Sequence, residues 1–95
     1  MTTGSRHEIE RHEIERIVRA VLRDVLSIDS ARADAFTDST ELFGALPELD
    51  SMAVAGLLTE LEDRLGIVID DDDVDEDLLA TFGSLADYAV RKSAD

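Results

Sequence analysis

The chain has 95 residues, with 9 basic and 23 acidic side chains and a formal net charge of −14. This length is typical of one small domain, and a 44% share of hydrophobic residues is enough to form a core. The negative charge argues against nucleic-acid binding, because few cations are present to neutralise phosphates. No apolar run approaches the roughly 20 residues of a membrane span, so no membrane role is expected. The absence of cysteine excludes disulfides, thiolate zinc sites and thiol catalysis, and it fits a cytoplasmic location.

The acidic residues are concentrated in the second half of the chain. Residues 1–40 carry six basic and eight acidic side chains, whereas residues 41–95 carry three basic and fifteen acidic ones. Repulsion among so many like charges costs stability in a small fold. The acidic residues therefore either contribute to binding a partner or only confer solubility, and composition leaves both interpretations open.

A tandem repeat opens the chain, since residues 6–10 and 11–15 both read Arg-His-Glu-Ile-Glu. A step of five residues turns a helix by about 500°, so the two copies face different directions. We interpret residues 1–12 as a flexible leader. From residue 14 onward the i, i+3, i+4 spacing of apolar residues predicts the first helix, through Ile14, Ile17, Val18, Val21, Leu22 and Val25. On its opposite face lie Arg16, Arg19 and Arg23, and Glu15 and Arg19 have the spacing of an ordinary ion pair.

The second helix is predicted over residues 51–65, after a long loop that spans residues 27–50 and contains Gly44 and Pro47. Its apolar residues fall within an arc of about 100°, namely Val54, Leu57, Leu58, Leu61 and Leu65. Asp50 is suited to cap the exposed N–H groups at the start of the helix. Gly66 is suited to end it.

The remaining segments complete an all-α fold. Residues 67–69 are expected to be extended, with Ile67 and Ile69 in the core, and a short helix is expected near Leu78 and Leu79. The last helix is predicted to begin at Ser84, because Ser84 and Asp87 have capping-box spacing, and to bury Leu85, Tyr88 and Ala89. The predicted architecture is a bundle of three main helices and one short helix in residues 13–92, followed by a tail at 93–95.

Catalytic and metal sites are not predicted anywhere in the chain. The two histidines, His7 and His12, lie in the leader and point apart on a helix, so they provide neither a general base nor a metal pair. The acidic run at 70–77 invites a calcium interpretation, but an EF-hand loop needs glycine at its sixth position and glutamate at its twelfth. Counting from Asp71 or from Asp73 satisfies neither requirement.

Ser51 is the residue that invites a functional interpretation. The pair Asp-Ser occurs three times, ending at Ser30, Ser39 and Ser51, and the third alone precedes a long amphipathic helix. A helix N-terminus stabilises a phosphate group, so a hydroxyl there suits the attachment of a phosphodiester. The simpler interpretation is that Ser51 is a capping or first-turn residue.

Several segments resemble the acyl carrier protein family: Leu49-Asp50-Ser51-Met52, the helix to Leu65, Gly66-Ile67-Val68-Ile69-Asp70 and Leu85-Ala86-Asp87-Tyr88. The likeness covers about residues 14–92, and Met52 replaces the leucine of the family's Asp-Ser-Leu signature. This resemblance implies that Ser51 carries 4′-phosphopantetheine, installed from coenzyme A by a phosphopantetheinyl transferase, with Asp50 beside it. It also implies a monomeric, non-catalytic carrier whose acyl thioesters are loaded by a ligase and used by acyl-transfer enzymes.

The outward face of the second helix is the candidate docking surface for partner enzymes. By the helical count, Met52, Glu60 and Asp63 project away from the core, and the resemblance implies docking by Glu62 and Asp63. Ala53 and Gly56 stand where the family has acids, which predicts poor recognition by fatty-acid synthase enzymes. Residues 46–54 look more like carriers found beside bacterial exosortase and exopolysaccharide systems. The alternative from another class is a small acidic adaptor that binds a basic partner and is never modified.

Overall fold

A computed structural model describes residues 3–94 of the chain, with side chains from residue 10 onward. Its elements in chain order are α1 (Thr3–Leu26), α2 (Ser30–Asp34), α3 (Ser51–Leu65), a 3₁₀ helix (Asp71–Asp73) and α4 (Phe82–Ala94). The first helix packs against each of the other three α-helices and so forms the centre of the molecule. The predicted all-α bundle with three main helices is confirmed.

Helix α1 begins at Thr3, so both copies of the tandem repeat are helical. Its apolar stripe enters the core as predicted, with Ile14, Val18, Val21 and Leu22 buried. Arg11, in the second copy, donates to Asp87 of α4 at 2.8 Å. The division into a leader at 1–12, a domain and a tail stays a prediction, and residues 1, 2 and 95 lie outside the described residues.

Arg19 on α1 has a structural role that its charge pattern did not indicate. Its Nε and Nη2 each lie 2.9 Å from a backbone carbonyl, those of Ala33 and Phe36. The guanidinium also lies 4.8 Å from the centre of the Phe82 ring, a cation–π distance. The expected pairing with Glu15 is wrong, because Glu15 pairs with Arg11 at 2.7 Å. Arg19 therefore links α1 both to α2 and to the loop that follows it.

The short helix lies at a different place from the one predicted. Leu78 and Leu79 are buried, but residues 77–80 form a turn. The carbonyls of Leu79 and Ala80 accept hydrogen bonds from the loop residues Phe43 and Leu42, both at 3.0 Å, and so they do not continue a helix. The short helix is instead α2, which begins where the Asp29 side chain accepts the N–H of Arg32 at 2.8 Å.

Helix α4 begins at Phe82, two residues before the predicted start at Ser84. The capping box is formed by Thr81 and Ser84 rather than by Ser84 and Asp87. The Ser84 N–H donates to Thr81 Oγ1 at 3.0 Å, and the Thr81 N–H donates to Ser84 Oγ at 3.1 Å. Leu85, Tyr88 and Ala89 are buried, as predicted.

Residues 67–70 after α3 form neither helix nor strand, and Ile69 packs against the core as predicted, whereas Ile67 is not among the core-packed residues. Ile67 and Ile69 are half-buried, whereas Val68 between them is 71% exposed. Within residues 3–94, every helix is too short or too polar to span a bilayer.

Candidate functional site

The N-terminus of α3 is fixed by Asp50, as the sequence predicts. The Asp50 backbone is extended, and its Oδ1 accepts the N–H of Ala53 at 2.8 Å. The Asp50 carbonyl accepts the first helical hydrogen bond, from Val54, at 2.9 Å. At the other end Gly66 closes the helix with a φ of 65°, which glycine adopts without strain. The helix therefore places Ser51 in its first turn.

Ser51 presents a hydroxyl that the rest of the fold does not use. The residue is exposed, and its side chain makes no hydrogen bond with any other residue that the structure describes. It lies at the positive end of the α3 dipole, where the first backbone N–H groups lack partners within the helix. A phosphodiester on Ser51 would be stabilised by both features, so the residues present fit such a group.

The loop that leads into Ser51 is held from two sides. Leu49 is buried in the core and is 3% exposed. Arg32 of α2 forms a two-pronged ion pair with Glu48, with N–O distances of 2.5 and 3.1 Å. Hydrogen bonds from Arg32 hold the pKa of Glu48 below its ordinary value. The loop that leads into Ser51 is thus held in place by α2, a helix that the sequence did not predict.

An open cleft of about 240 Å³ lies directly beside Ser51. Its walls are apolar, from Phe43, Val54, Val74 and Leu79, and Asp75 and Glu76 lie at its rim. A larger cleft of about 380 Å³ is strongly acidic, and Ser51 does not line it. Apolar clefts with few polar groups are the usual form of a small-molecule site. The cleft would offer apolar surface to a group attached to Ser51.

A metal site and a histidine base were the two kinds of catalytic site considered from the sequence. Among the residues that the structure describes, no group of three or more carboxylates or imidazoles is placed to hold a metal ion. His12 is exposed on α1, and the side chain of His7 lies outside the described residues.

Comparison with known proteins identifies the family to which the chain belongs. Residues 16–89 match the family model described as a phosphopantetheine attachment site. The chain belongs to this phosphopantetheine-attachment family. A holo acyl carrier protein of Nitrosomonas europaea, solved by solution NMR, is similar to it with a TM-score of 0.78 and 39% identity. The similarity covers 86% of this chain and 96% of that protein. No curated protein gives a significant match.

Family membership and fold establish the class of function. The chain is an acyl carrier domain, and its covalently attached group is 4′-phosphopantetheine. Domains of this family are substrates of phosphopantetheinyl transferases and of acyl-transfer enzymes. Since the arm supplies the thiol, the lack of cysteine in the chain is consistent with this chemistry.

The candidate docking residues of this carrier lie on α3 in different environments. Met52 is 85% exposed, next to Ser51, and Asp63 is exposed near the other end of the helix. Glu60 forms an ion pair with Arg64 at 2.8 Å. The Glu62 carboxylate accepts the N–H of Ile69 at 2.8 Å, so it fixes the segment after the helix. Two of the four predicted residues therefore already have partners within the fold.

Sequence reasoning missed three residues around the site of this carrier. Arg64 was detectable, because its spacing from Glu60 is that of an i, i+4 pair. Phe43 and Glu76 were not, since they reach the cleft from the loop before α3 and from the segment after the 3₁₀ helix. No local pattern brings these segments together.

Proposed function

We propose that Ser51 is the residue of this acyl carrier to which 4′-phosphopantetheine is attached. The observation that supports it is the exposed, unengaged Ser51 hydroxyl at a helix end fixed by Asp50. In the attachment step Ser51 Oγ loses its proton and forms a bond to phosphorus. A separate transferase breaks the pyrophosphate bond of coenzyme A and releases the nucleotide part.

The side chains around Ser51 then bind and orient rather than catalyse. Asp50 keeps the first turn of α3 in place, and the free N–H groups of that turn stabilise the phosphodiester. Phe43 and Val54 offer an apolar wall to an attached acyl group, whose thioester chemistry the arm supplies. We therefore propose a carrier without catalytic residues of its own, acted on by other enzymes.

Partner enzymes dock, in this proposal, on the face of α3 that carries Met52 and Asp63. Met52 offers an apolar anchor beside the attachment residue, and exposed apolar side chains at the centre of an interface often dominate binding. Asp63 offers a carboxylate to a cation of the partner. Glu60 and Glu62 would contribute only after their internal partners are displaced.

The proposed partners are a phosphopantetheinyl transferase, a ligase that loads acyl groups and enzymes that transfer them. We place the carrier in the cytoplasm, because coenzyme A is the proposed source of the arm. We also propose that it is a monomer, as the resemblance to acyl carrier proteins implies.

The experiment that tests the attachment residue is an intact-mass measurement after incubation with coenzyme A and a promiscuous phosphopantetheinyl transferase. We expect one added arm on the wild type and none on Ser51→Ala. Ser30→Ala and Ser39→Ala are matched controls, since both serines are exposed and follow aspartate, and they should accept the arm fully. Removal of Ser51 should cost at most about 1 kcal/mol of stability, the value of a weak cap. A wild type that gains no mass would favour the unmodified acidic adaptor.

A further inference from the structure

Arg64, in the last turn of α3, bonds to two carboxylates at once. Its Nε and Nη2 lie 2.9 and 2.8 Å from Glu60 Oε2, and Nη2 lies 2.9 Å from Asp24 Oδ2 on α1. Hydrogen bonds from Arg64 and Arg23 hold the pKa of Asp24 below its ordinary value. A single guanidinium thus forms ion pairs with two carboxylates at the edge where α3 meets α1.

Glu62 and Asp63, the other two acids of α3, do not bond to Arg64. The Glu62 carboxylate accepts a backbone N–H and faces the segment after the helix. Asp63 is exposed and makes no hydrogen bond or ion pair with the residues that the structure describes. Of the three acids of α3, Asp63 is therefore the one whose carboxylate is available to a partner.

From Met52 to Thr59, α3 carries no charged side chain. Its exposed residues there are Met52, Ala55, Gly56 and Thr59. Small side chains let a partner approach the helix closely, while Met52 projects from it with 85% of its surface exposed. A partner docked beside the arm would therefore meet uncharged surface first, and Asp63 is the α3 carboxylate that is not already bonded among the described residues.

We propose that Arg64 is a specificity-determining residue of this docking face. It favours an enzyme with an apolar pocket for Met52 and a cation opposite Asp63, and it disfavours a strongly basic enzyme surface. Cations of a basic surface would have to displace Arg64 from Glu60 and Asp24, and its own positive charge repels them. This inference rests on the proposed carrier function, because docking is measured through the modification of Ser51.

The first test is the steady-state rate of arm transfer to Ser51 by a phosphopantetheinyl transferase that has a basic docking surface. Arg64→Gln removes one positive charge and frees the Glu60 carboxylate, while Asp24 keeps its bond to Arg23. The change should lower KM for the carrier by about threefold to tenfold at low salt. The gain should shrink at higher salt, since screening weakens attraction between exposed charges. Arg64→Lys keeps the charge and should stay near the wild type. Arg16→Gln makes the same change in net charge at the exposed Arg16–Glu13 pair of α1 and should leave KM nearly unchanged.

A second pair of variants keeps the proposal testable if Arg64→Gln fails to fold. Asp63→Asn and Glu60→Gln remove one charge each from the same helix with little change in shape. At moderate salt, where direct contact dominates, Asp63→Asn should raise KM by about threefold and Glu60→Gln by much less.

Three results would overturn the role of Arg64: an unchanged or higher KM for folded Arg64→Gln, an equal gain from Arg16→Gln, or equal losses for the two acid variants. Absence of modification in the wild type would instead contradict the carrier function of Ser51.

Discussion

Gly83, in the first turn of α4, packs against the backbone of the loop before α3. Its N–H donates to the Asp38 carbonyl at 2.9 Å. A Cβ at this position would lie 2.6 Å from the Asp38 carbonyl oxygen and 3.1 Å from its Cα. These are backbone atoms, and the neighbouring bond from Phe82 N–H to the Thr40 carbonyl, 2.8 Å long, holds the same loop in place. The loop therefore cannot yield without losing hydrogen bonds.

Gly83→Ala should consequently destabilise the fold. Overpacking costs about 1–3 kcal/mol, and a weakened hydrogen bond adds about 1 kcal/mol. Replacing glycine by alanine in a helix returns at most about 1 kcal/mol. The net loss is about 1–3 kcal/mol, which lowers the melting temperature of a domain this size by about 4–8 °C for each kcal/mol.

Gly56→Ala is the matched control for the same chemical change. The new Cβ would lie 3.8 Å from Val25 Cγ1, an ordinary contact, so the gain in helix propensity of about 1 kcal/mol should remain. The assay is urea unfolding followed by circular dichroism, with equal m-values across the three proteins. A Gly83→Ala protein as stable as the wild type would refute the packing argument.

Three further predictions concern ionisation, charge and docking. Tyr88 is the single tyrosine, and burial with a hydrogen bond to a carboxylate raises its pKa to about 12. Because the folded state holds this proton more tightly, the stabilisation should be fully present below pH 10 and fall as the pH rises toward 12. Tyr88→Phe should remove this loss. Tyrosinate absorbance measures the pKa, and unfolding curves at several pH values measure the stability. Moderate salt should raise the melting temperature, because it screens the repulsion among the carboxylates. Replacing the exposed Asp71 and Asp72 by asparagine should stabilise the protein and reduce the salt effect. A melting temperature that does not change with salt would show that the acids are already compensated. Met52→Ala and Asp63→Lys should each slow acyl transfer to or from the arm with unchanged circular dichroism, and wild-type rates for both would remove them from the docking surface.

Helix α3 could be predicted from the sequence because every signal for it is local. The apolar stripe, the Asp50 cap and the Gly66 stop all lie within or next to the helix. The start of α4 offered two overlapping capping patterns, and the fold uses Thr81 with Ser84 because Asp87 is bonded to Arg11. That competing bond joins residues far apart in the chain, so no local pattern indicates it.

In the candidate site, the proposed attachment residue is the part with a local sequence signal. Ser51 is proposed from a short motif on a rigid helix, because the chemistry of attachment needs only one exposed hydroxyl. Its surroundings depend on tertiary contacts. The cleft joins the loop before α3 to the segment after the 3₁₀ helix, and Arg64 reaches across to Asp24 of α1. Residues that act through such contacts could not be assigned from spacing along the chain.

The central claim is tested most directly by locating the attached group on the protein after modification with coenzyme A and a transferase. Proteolysis and fragment-ion mass spectrometry should place a single 4′-phosphopantetheine on Ser51, with the peptides containing Ser30 and Ser39 unmodified. An arm on any other serine, or a peptide containing Ser51 that stays unmodified in the presence of an active transferase, would contradict the account.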